Sequence, residues 1–451
     1  MKNRNQYIYK KPIMKLSVRT LALVSLLAIA GCNNSLVDTQ PIKQVAEKPI
    51  VSKTDTPSTT KTDKSYTAAD DSASTPEGVK QVVNANNQFA IDLYQQISKQ
   101  PEQAENNVFF SPYSLSTAMA MLYAAAEGET KQQIQKTFHY PMPAILNPNS
   151  AALYNQFNKP NPNYDLSTVN DLWMRQGLSP NQAYLDTVQR YYGGQVTTLD
   201  FENSPEPSRQ IINKSIAKHT KQMIPELMPS GSIDSSTATV LTNAVYFKSE
   251  WAKPFGLQGG TRPFHNLDGT TSSKEMMYKT AYFDYMENEH VQVVELPYKS
   301  NDLSMLIILP KSKEAAAMQK LVADLSSNQV SQWTEQLENQ EIFLVMPKFK
   351  FEESYSMKPI LANMGMPIAF GSRANYSLFN DKLPLKVDSV VHKAVVEVDE
   401  KGTVAAAATG IGVQLVMATH KAEITADHPF MFMIKDNKTD AILFLGQVNK
   451  L

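Results

Sequence analysis

Serine, histidine and aspartate occur together in this chain of 451 residues, and these side-chain types could perform the nucleophilic chemistry of a hydrolase. Asp388 would be the acidic member of such a group. However, the sequence lacks the Gly-x-Ser-x-Gly motif that presents a serine nucleophile on a strand-to-helix turn. We therefore expect the serine and histidine side chains to belong to a buried polar network, and we expect no enzymatic activity.

Metal-binding and nucleic-acid-binding chemistry also lack support in the sequence. The seven histidines include no His-x-x-x-His pair, and the single cysteine cannot form an intramolecular disulfide or a cysteine-based metal site. The net charge of -1 leaves no excess of basic residues to bind a polyanion. We therefore expect no metal, no cofactor and no nucleic-acid partner.

The single cysteine, Cys32, lies at the end of an N-terminal targeting segment. A basic region with Lys15 and Arg19 precedes an apolar core, residues 20–30, that is too short to span a bilayer. The tetrad Ile-Ala-Gly-Cys at 29–32 resembles a bacterial lipobox, which implies that Cys32 is lipidated and becomes the new N-terminus.

This resemblance predicts the location of the protein. Residues 1–31 are expected to be a lipoprotein-type signal peptide, with Met14 as a candidate true start. Asn33 after the cysteine implies sorting to the bacterial outer membrane, facing the periplasm or the extracellular space. We expect the membrane to be contacted only through the lipid anchor, since several acyl chains provide stable attachment.

The chain then divides into a tether and one folded domain. Residues 32–84 are rich in Ser, Thr, Lys, Asp and Pro and predict a disordered tether. Order is expected to begin near Asn86, where apolar residues recur at helical spacing. No repeat and no second linker follow, so residues 85–451 are expected to fold as one domain and to act as a monomer.

Apolar runs predict an α+β fold with mostly antiparallel sheets. Ser111 is expected to cap a helix that has Pro112 at its first position, and the small-residue face of that helix is expected to pack in the centre of the molecule. The strand-like runs are 240–247, 291–296, 304–309, 342–346 and 392–398, followed by a hairpin of 430–434 and 441–448.

Residues 399–413 have no clear preference for helix or strand. Four consecutive alanines, 405–408, favour a helix, whereas Gly410, Gly412 and the surrounding β-branched residues do not. This composition suits a segment that is exposed in one state and becomes a central strand in another. Small side chains can enter a packed layer without clashes.

Four segments of residues 85–451 resemble segments of the serpin family, and they occur in the same order with similar spacing. The segments are Asn-Val-Phe-Phe-Ser-Pro-Tyr-Ser-Leu at 107–115, residues 224–234 with 241–251, His-Lys-Ala-Val at 392–395 and Asp-His-Pro-Phe-Met-Phe at 427–432. The resemblance implies the serpin fold, with three mostly antiparallel sheets, eight or nine helices and an exposed reactive-centre loop. It also implies a metastable protein that inhibits serine proteases by a suicide mechanism, in which the cleaved loop inserts into the main sheet.

Residues 399–413 would then contain the hinge of the reactive-centre loop. The resemblance assigns the hinge to Glu400, Lys401, Gly402, Thr403, Ala405, Ala406, Ala407, Ala408 and Thr409. With the two-residue period of a strand, the odd-numbered residues from 403 to 413 would point to the interior of the sheet. The gates on insertion, known as the shutter and the breach, would be Ser111, Ser114, Asn243, Trp251, Lys348 and His392, with Lys348 paired to Glu400.

The position of the reactive bond stays open between three residues. Counting from the hinge places it after Val416, counting back from Pro429 places it after Ala418, and Met417 lies between them. All three are small or unbranched apolar residues, which suit elastase-like, subtilisin-like or chymotrypsin-like proteases. Papain-like cysteine proteases are a further class of target.

Two departures from the family pattern and one alternative function accompany this hypothesis. Ser215 stands where the family usually has tryptophan, and Gln222 replaces a usual glycine, so we expect altered local packing at both positions. The alternative is a non-inhibitory serpin that acts as a binding or chaperone-like module. Bulky or charged residues in the hinge would favour that alternative, and the hinge has none at its inward-facing positions.

Overall fold

The structure is a computed structural model that describes residues 66–100, 103, 105–256, 260–379, 385–403 and 422–451. These residues contain nine α-helices. Proline is the first residue of four of them, where its missing N–H has no intrahelical partner to lose. The helices are α1 (Pro76–Ser98), α2 (Pro112–Ala125), α3 (Gly128–Thr137), α4 (Pro143–Asn158), α5 (Gln182–Tyr192), α6 (Pro205–His219), α7 (Ala315–Asp324), α8 (Ser327–Glu335) and α9 (Met357–Asn363).

The strands alternate irregularly with the helices, as expected for an α+β fold. They are β1 (Val108–Phe110), β2 (Tyr164–Arg175), β3 (Gln195–Leu199), β4 (Thr239–Glu250), β5 (Thr261–His265), β6 (Thr271–Glu287), β7 (Val291–Pro297), β8 (Leu303–Pro310), β9 (Glu338–Pro347), β10 (Phe349–Ser356), β11 (Ser389–Val398), β12 (Gly402–Thr403), β13 (Ala422–Thr425), β14 (Phe430–Asp436) and β15 (Ile442–Val448). The predicted strand runs and the closing hairpin of β14 and β15 are confirmed.

The described strands form two sheets. A nine-stranded sheet has the order β1-β15-β14-β8-β7-β6-β9-β13, with β5 attached to β6. The long strand β6 pairs with β5 and β9 along most of its length and with β7 at its end. It therefore joins what would otherwise be a second and a third sheet into one connected sheet.

A six-stranded sheet has the order β10-β11-β12-β4-β2-β3. Most neighbours in it are antiparallel, but β11 pairs in parallel with β4, and β2 pairs in parallel with β3. This sheet contains the site described below.

Helix α2 lies in the core and contacts strands of both sheets, β15 and β4. Ser111 caps it by accepting a hydrogen bond from the backbone N–H of Ser114, and Pro112 occupies its first turn, as predicted. Ala118, Met119 and Ala125 have no exposed surface, which confirms the predicted central packing of this helix. Among the helices of the described residues, none is long and apolar enough to span a bilayer.

The predicted tether, 32–84, is wrong at its C-terminal end because α1 begins at Pro76, ten residues before Asn86. Thr75 caps this helix by accepting a hydrogen bond from the N–H of Gly78 at 3.1 Å. The composition of residues 66–84 is polar, but polar groups can also be ordered by specific hydrogen bonds. The sequence pattern does not reveal such partners when they lie far away in the chain.

Residues 66–75 form a strap, which is held by two asparagines of α4. The Oδ1 atom of Asn149 accepts hydrogen bonds from Ser74 Oγ at 2.8 Å and from Thr75 N at 2.9 Å. The amide of Asn155 bonds to both the N–H and the carbonyl of Ala69, at 2.8 and 2.9 Å. The strap is thus fixed to α4 through paired amide contacts.

Candidate functional site

The central feature of the six-stranded sheet is the seam between β11 and β4. The two strands pair directly and in parallel from Ser389 opposite Val240 to Ala394 opposite Val245. This part of the seam, residues 389–394 and 240–245, is called the closed end. Direct parallel pairing here means that nothing lies between the two central strands.

Further along the seam the two-residue strand β12 lies between them. Thr403 pairs antiparallel with Val398 of β11 on one side and with Ser249 of β4 on the other. This part, residues 398–403 and 249–251, is called the hinge end. Ser389 and Val240 differ by 149 in residue number, and so do Val398 and Ser249, so the two strands keep one register with or without an intervening strand.

A turn around Asp399 leads from β11 into β12. The Asp399 carboxylate accepts hydrogen bonds from the backbone N–H groups of Lys401 at 2.8 Å and Gly402 at 3.1 Å. The pKa of Asp399 is raised overall, mainly because the carboxyl group is buried. The two amide hydrogen bonds oppose this shift, and the negative charges of Glu400 and Glu397 add to it. An aspartate whose side chain bonds the backbone two residues ahead is a common way to fix a turn.

Backbone carbonyls of this turn are bound by residues that follow β4. The backbone N–H of Trp251 donates to the carbonyl of Lys401 at 2.7 Å, and its indole N–H donates to the carbonyl of Asp399 at 2.9 Å. The N–H of Phe255 donates to the carbonyl of Glu400 at 2.8 Å. The structure thus brings Trp251 and the first hinge residues together.

An ion pair lies on the outer side of the same turn. The Nζ atom of Lys348 is 2.7 Å from Glu400 and 2.9 Å from Glu275. Partial burial would lower the pKa of Lys348, but its hydrogen bonds to Glu400 and Glu275 raise the pKa overall. The side chain of Glu400 is only 12% exposed, whereas that of Lys348 is 33% exposed, so this pair is partly screened by solvent.

Gly402 packs against the backbone of β4 more closely than any other residue type could. A Cβ atom at this position would lie 2.1 Å from the carbonyl oxygen of Ser249 and 2.7 Å from the Cα of Glu250. Both are backbone atoms that cannot rotate away. Glycine at 402 is therefore required for β12 to lie in the sheet.

Thr403 is buried, and its hydroxyl lies 2.7 Å from the hydroxyl of Tyr298. The Tyr298 ring stacks on the Trp251 ring at a centroid distance of 4.6 Å. Sequence reasoning missed Tyr298, because the strand-like run it follows ends at Leu296 and nothing local links it to the hinge. Its role depends on a contact between residues 105 positions apart.

At the closed end, His392 joins β11 to β4 and α2. Its Nε2 atom accepts a hydrogen bond from the backbone N–H of Ser111 at 3.1 Å, and its Nδ1 atom contacts Oδ1 of Asn243. Because a backbone N–H can only donate, Nε2 must be unprotonated and the proton must be on Nδ1, where it is donated to Asn243. Burial lowers the pKa of His392 to about 3, in agreement with a neutral ring.

Asn243 extends this cluster to α2 and β2. Its side-chain N–H groups are donated to Ser114 Oγ, at 2.6 Å, and to Oδ1 of Asn170. The Ser111 hydroxyl donates to the carbonyl of Leu443 in β15 at 2.7 Å. The structure therefore brings together Ser111, Ser114, Asn243 and His392. It adds Asn170 of β2, which no pattern in that mixed polar and apolar strand singles out.

The geometry of this cluster differs from that of a catalytic triad. Both ring nitrogens of His392 are occupied by Ser111 N and Asn243, and no carboxylate among the described residues bonds to the ring. The carboxylate of Asp388 instead accepts from the backbone N–H groups of Ala238 and Thr239 at 2.7 and 3.1 Å. In the part of the chain that the structure describes, no group of three or more acidic, histidine or cysteine side chains could hold a metal ion.

Comparison with known proteins identifies the family. A family model described as Serpin (serine protease inhibitor) matches residues 84–451. The chain belongs to the serpin family. The leukocyte elastase inhibitor of Xenopus laevis is 37% identical over 366 residues, which cover 80% of this chain and 96% of that protein. An uncharacterised serpin-like protein of Methanosarcina mazei is 37% identical over 374 residues, which cover 81% of this chain and 87% of that protein.

Solved serpin structures have the same fold. Uncleaved ovalbumin matches with a TM-score of 0.75 and 28% identity, covering 82% of this chain and all of that one. Human thyroxine-binding globulin in complex with thyroxine matches with a TM-score of 0.75 and 29% identity, covering 83% of this chain and 99% of that one. The expected serpin fold is therefore confirmed.

In this serpin, α6 and the segment that follows it cover the closed end. An apolar cluster joins them to β4 and β11, with Ile212, Ile216, Ile224, Leu227, Met228, Val240, Ala244 and Val395 among its members. Asn213 fixes the segment by accepting from the N–H groups of Leu227 and Met228 and donating to the carbonyl of Met228.

The two departures from the serpin pattern lie in α6 and in the segment that follows it. Gln222 has a φ of 65°, a left-handed conformation in which glycine avoids the strain imposed by a side chain. Ser215 lies on α6, with its hydroxyl 3.4 Å from Nδ1 of His219. Gln222 thus introduces local backbone strain where the family pattern has glycine.

The remaining predicted site residues lie outside the described residues. They are the hinge residues Ala405, Ala406, Ala407, Ala408 and Thr409, the candidate reactive-bond residues Val416, Met417 and Ala418, and Cys32. Their roles stay predictions.

Proposed function

We propose that this serpin inhibits serine proteases by a suicide mechanism. A target protease would attack the reactive-centre loop and form an acyl-enzyme, and the freed loop would insert between β11 and β4 before hydrolysis. The single observation that carries this proposal is the location of Gly402 and Thr403 as a strand between β11 and β4. The loop would enter the sheet by extending a strand that already has the required direction.

The register of β12 supports continued insertion. Thr403 lies opposite Val398 and Ser249, so a strand that continued six residues further would bring Thr409 opposite His392 and Asn243. Its side chain would share the face of Thr403 because strand side chains alternate. Thr409 would then meet the polar cluster of the closed end and could replace the His392–Asn243 hydrogen bond that separation of the strands breaks.

The energetics also support the mechanism. About ten inserted residues would gain hydrogen bonds on both sides, each with a net value of roughly 0.5–1.5 kcal/mol, so insertion could release on the order of 10 kcal/mol. A strand from the hinge to the candidate reactive bond would be about 45 Å long, which is far enough to displace an attached protease. The uncleaved fold would then persist for kinetic reasons.

The target class follows from the reactive-bond candidates. Val416, Met417 and Ala418 are apolar, which favours elastase-like, subtilisin-like or chymotrypsin-like enzymes over proteases with a buried carboxylate in the specificity pocket. Relatives named leukocyte elastase inhibitor agree with an elastase-like target. Elastase and subtilisin are therefore the first enzymes to test.

A second candidate function is a binding or chaperone-like module without protease inhibition. It is favoured by the similarity to human thyroxine-binding globulin, whose structure contains bound thyroxine. The two candidates differ in chemistry because only the inhibitor forms a covalent bond to a protease.

We further propose that the protein is exported and anchored to the bacterial outer membrane through lipids on Cys32. The lipobox resemblance and the polar segment after it support this location. Detergent phase partitioning of the full chain and of Cys32→Ser would test it. The chain should enter the detergent phase and the variant should not, and equal partitioning of the two would contradict the anchor.

The test of inhibition is incubation of the full chain with elastase or subtilisin, followed by a denaturing gel. A covalent complex that contains the protease is expected. Thr403→Arg should instead be cleaved without a complex, because a charged side chain cannot occupy the buried position of Thr403. Asn328→Arg, on the exposed surface of α8, is the matched control and should form the complex. Cleavage of the unaltered chain by every protease without any complex would contradict the proposal.

A further inference from the structure

Tyr298 and Thr403 form an isolated pair of buried hydroxyl groups. Both residues are 1% exposed, and their oxygen atoms are 2.7 Å apart. Neither hydroxyl has another hydrogen-bond partner among the described residues. Burial raises the pKa of Tyr298, so the phenol stays protonated and can donate to Thr403.

The Tyr298 ring is held in place by contacts that do not involve Thr403. It stacks on the Trp251 ring at 4.6 Å with an interplanar angle of 10°, and it meets the Phe247 ring edge-on at 5.2 Å. The backbone of Tyr298 also forms a bridge with Trp251. Since these contacts do not involve Thr403, the phenol oxygen would stay at the hinge end if the hinge residues withdrew.

The Tyr298 hydroxyl therefore favours the state in which Thr403 lies in the sheet. When Thr403 lies in the sheet, each hydroxyl satisfies the other. When Thr403 leaves, the Tyr298 hydroxyl loses its partner in a buried environment, which is unfavourable. A residue without a hydroxyl at 403 would leave the phenol unsatisfied even when it is inserted.

We propose that Tyr298 is a positioning residue for loop insertion, which holds the hinge in the sheet by pairing with the hydroxyl at position 403. It thereby selects a hydroxyl-bearing residue at position 403, the first inserted position that carries a side chain. This inference rests on the proposed function for its biological meaning, but the pairing itself can be measured without a protease.

The reporter for this pairing is the backbone N–H of Trp251, which donates to the carbonyl of Lys401 at 2.7 Å. Its hydrogen exchange should accelerate when the hinge leaves the sheet. The N–H groups of residues 390–394 at the closed end serve as internal controls and should not change.

The experiment is a double-mutant cycle with residue-resolved hydrogen exchange on the full chain. Tyr298→Phe and Thr403→Val should each accelerate exchange at Trp251 by about tenfold, because each leaves one buried hydroxyl unpaired. The double variant should return to within about threefold of the unaltered chain, since an apolar pair of similar shape leaves no unsatisfied group. Thr403→Ser should retain the slow exchange because it keeps the hydroxyl.

Additive acceleration in the double variant, or no acceleration in either single variant, would overturn the proposal. If a single variant unfolds instead, as thermal unfolding would reveal, recovery of folding in the double variant would support the pairing and continued unfolding would overturn it. The stoichiometry of elastase inhibition, measured on the same proteins, should follow the same pattern. Hydrogen exchange could show the coupling between Tyr298 and Thr403 while none of these proteins forms a protease complex. That result would refute the proposed function and leave the pairing intact.

Discussion

At the closed end of the seam the polar cluster around His392 is neutral and fully buried, whereas the polar groups at the hinge end include an ion pair that reaches solvent. His392, Asn243 and Ser114 are 0% exposed and bond to one another or to the backbone. At the hinge end, Lys348 is 33% exposed while it binds Glu400. Removal of a group should therefore be far more costly at the closed end.

The two ends also differ in which atoms hold them. The closed end depends on side chains, since Asn243 and His392 interlock across the directly paired strands. The hinge end depends largely on the backbone, because the carbonyls of Asp399, Glu400 and Lys401 all accept hydrogen bonds from residues after β4. A hinge held through its backbone tolerates different side chains, except at Asp399, Gly402 and Thr403.

The largest effect is expected from Asn243→Ala at the closed end. It removes the acceptor of the His392 Nδ1–H and a donor to the Oδ1 atom of Asn170. Each unsatisfied buried group costs about 1–3 kcal/mol. We expect the free energy of unfolding to fall by about 3 kcal/mol or more, measured by urea denaturation. Asn328→Ala on the exposed face of α8 is the control and should change it by less than about 0.5 kcal/mol. A small effect of Asn243→Ala would remove the contrast between the two ends.

The pH dependence of stability should identify His392. Its pKa is lowered from 6.5 to about 3 in the folded protein, so the unfolded chain binds the proton first as the pH falls. The free energy of unfolding should fall from pH 6.5 towards pH 3, by up to about 1.4 kcal/mol per pH unit from this residue. Above pH 6.5 this contribution should be constant.

Urea denaturation between pH 4.5 and 7.5 measures this slope. His392→Gln, which cannot gain the proton, should have a shallower slope than the unaltered chain. The exposed His290→Gln is the matched control and should keep the original slope. Equal slopes for all three proteins would mean that His392 does not govern acid sensitivity.

A smaller effect is expected from Glu400→Gln at the hinge end. The change removes the charge that faces Lys348, but Lys348 retains Glu275 and contact with solvent. We expect a loss of about 1 kcal/mol or less, and we expect the loss to shrink at high salt because the pair is partly exposed. Denaturation at two salt concentrations tests this, and a large loss that salt does not alter would make the two ends alike.

The smallest effect, a gain in stability, is expected from Gln222→Gly in the segment that follows α6. The φ of 65° at this residue is strained for glutamine and relaxed for glycine, although glycine also adds freedom to the unfolded chain. We expect a gain of about 0.5 kcal/mol in the free energy of unfolding. Lys214→Gly, at an exposed position in the interior of α6, is the opposing control and should destabilise by about 1 kcal/mol. A loss at 222 would show that the side chain contributes more than its strain costs.

Much of the fold could be predicted from local patterns. Apolar runs located the central strands and the closing hairpin, and Ser111 with Pro112 marked the start of α2. The resemblance to the family brought in Asn243 and His392, which no local pattern would join across 149 positions. The predictions failed where polar residues form hydrogen bonds with partners that are distant in the chain.

The strap and the hydroxyl pair illustrate that limit. Residues 66–75 are polar in composition, and they are fixed by the side-chain amides of Asn149 and Asn155 and by an ion pair between Asp70 and Arg190. Tyr298 follows an unremarkable strand, and its importance depends on the geometry of the hinge. Local periodicity describes burial along one element, whereas these contacts depend on how distant elements are packed.

The constant offset of 149 residues across the seam has a consequence for the core. A strand that enters between β11 and β4 need not slide either of them along its length, so every residue of both strands keeps its original face. The apolar layer beneath the sheet would move apart sideways without turning any side chain from inside to outside. The protein could therefore widen the six-stranded sheet by one strand while it keeps the same hydrophobic contacts within each half.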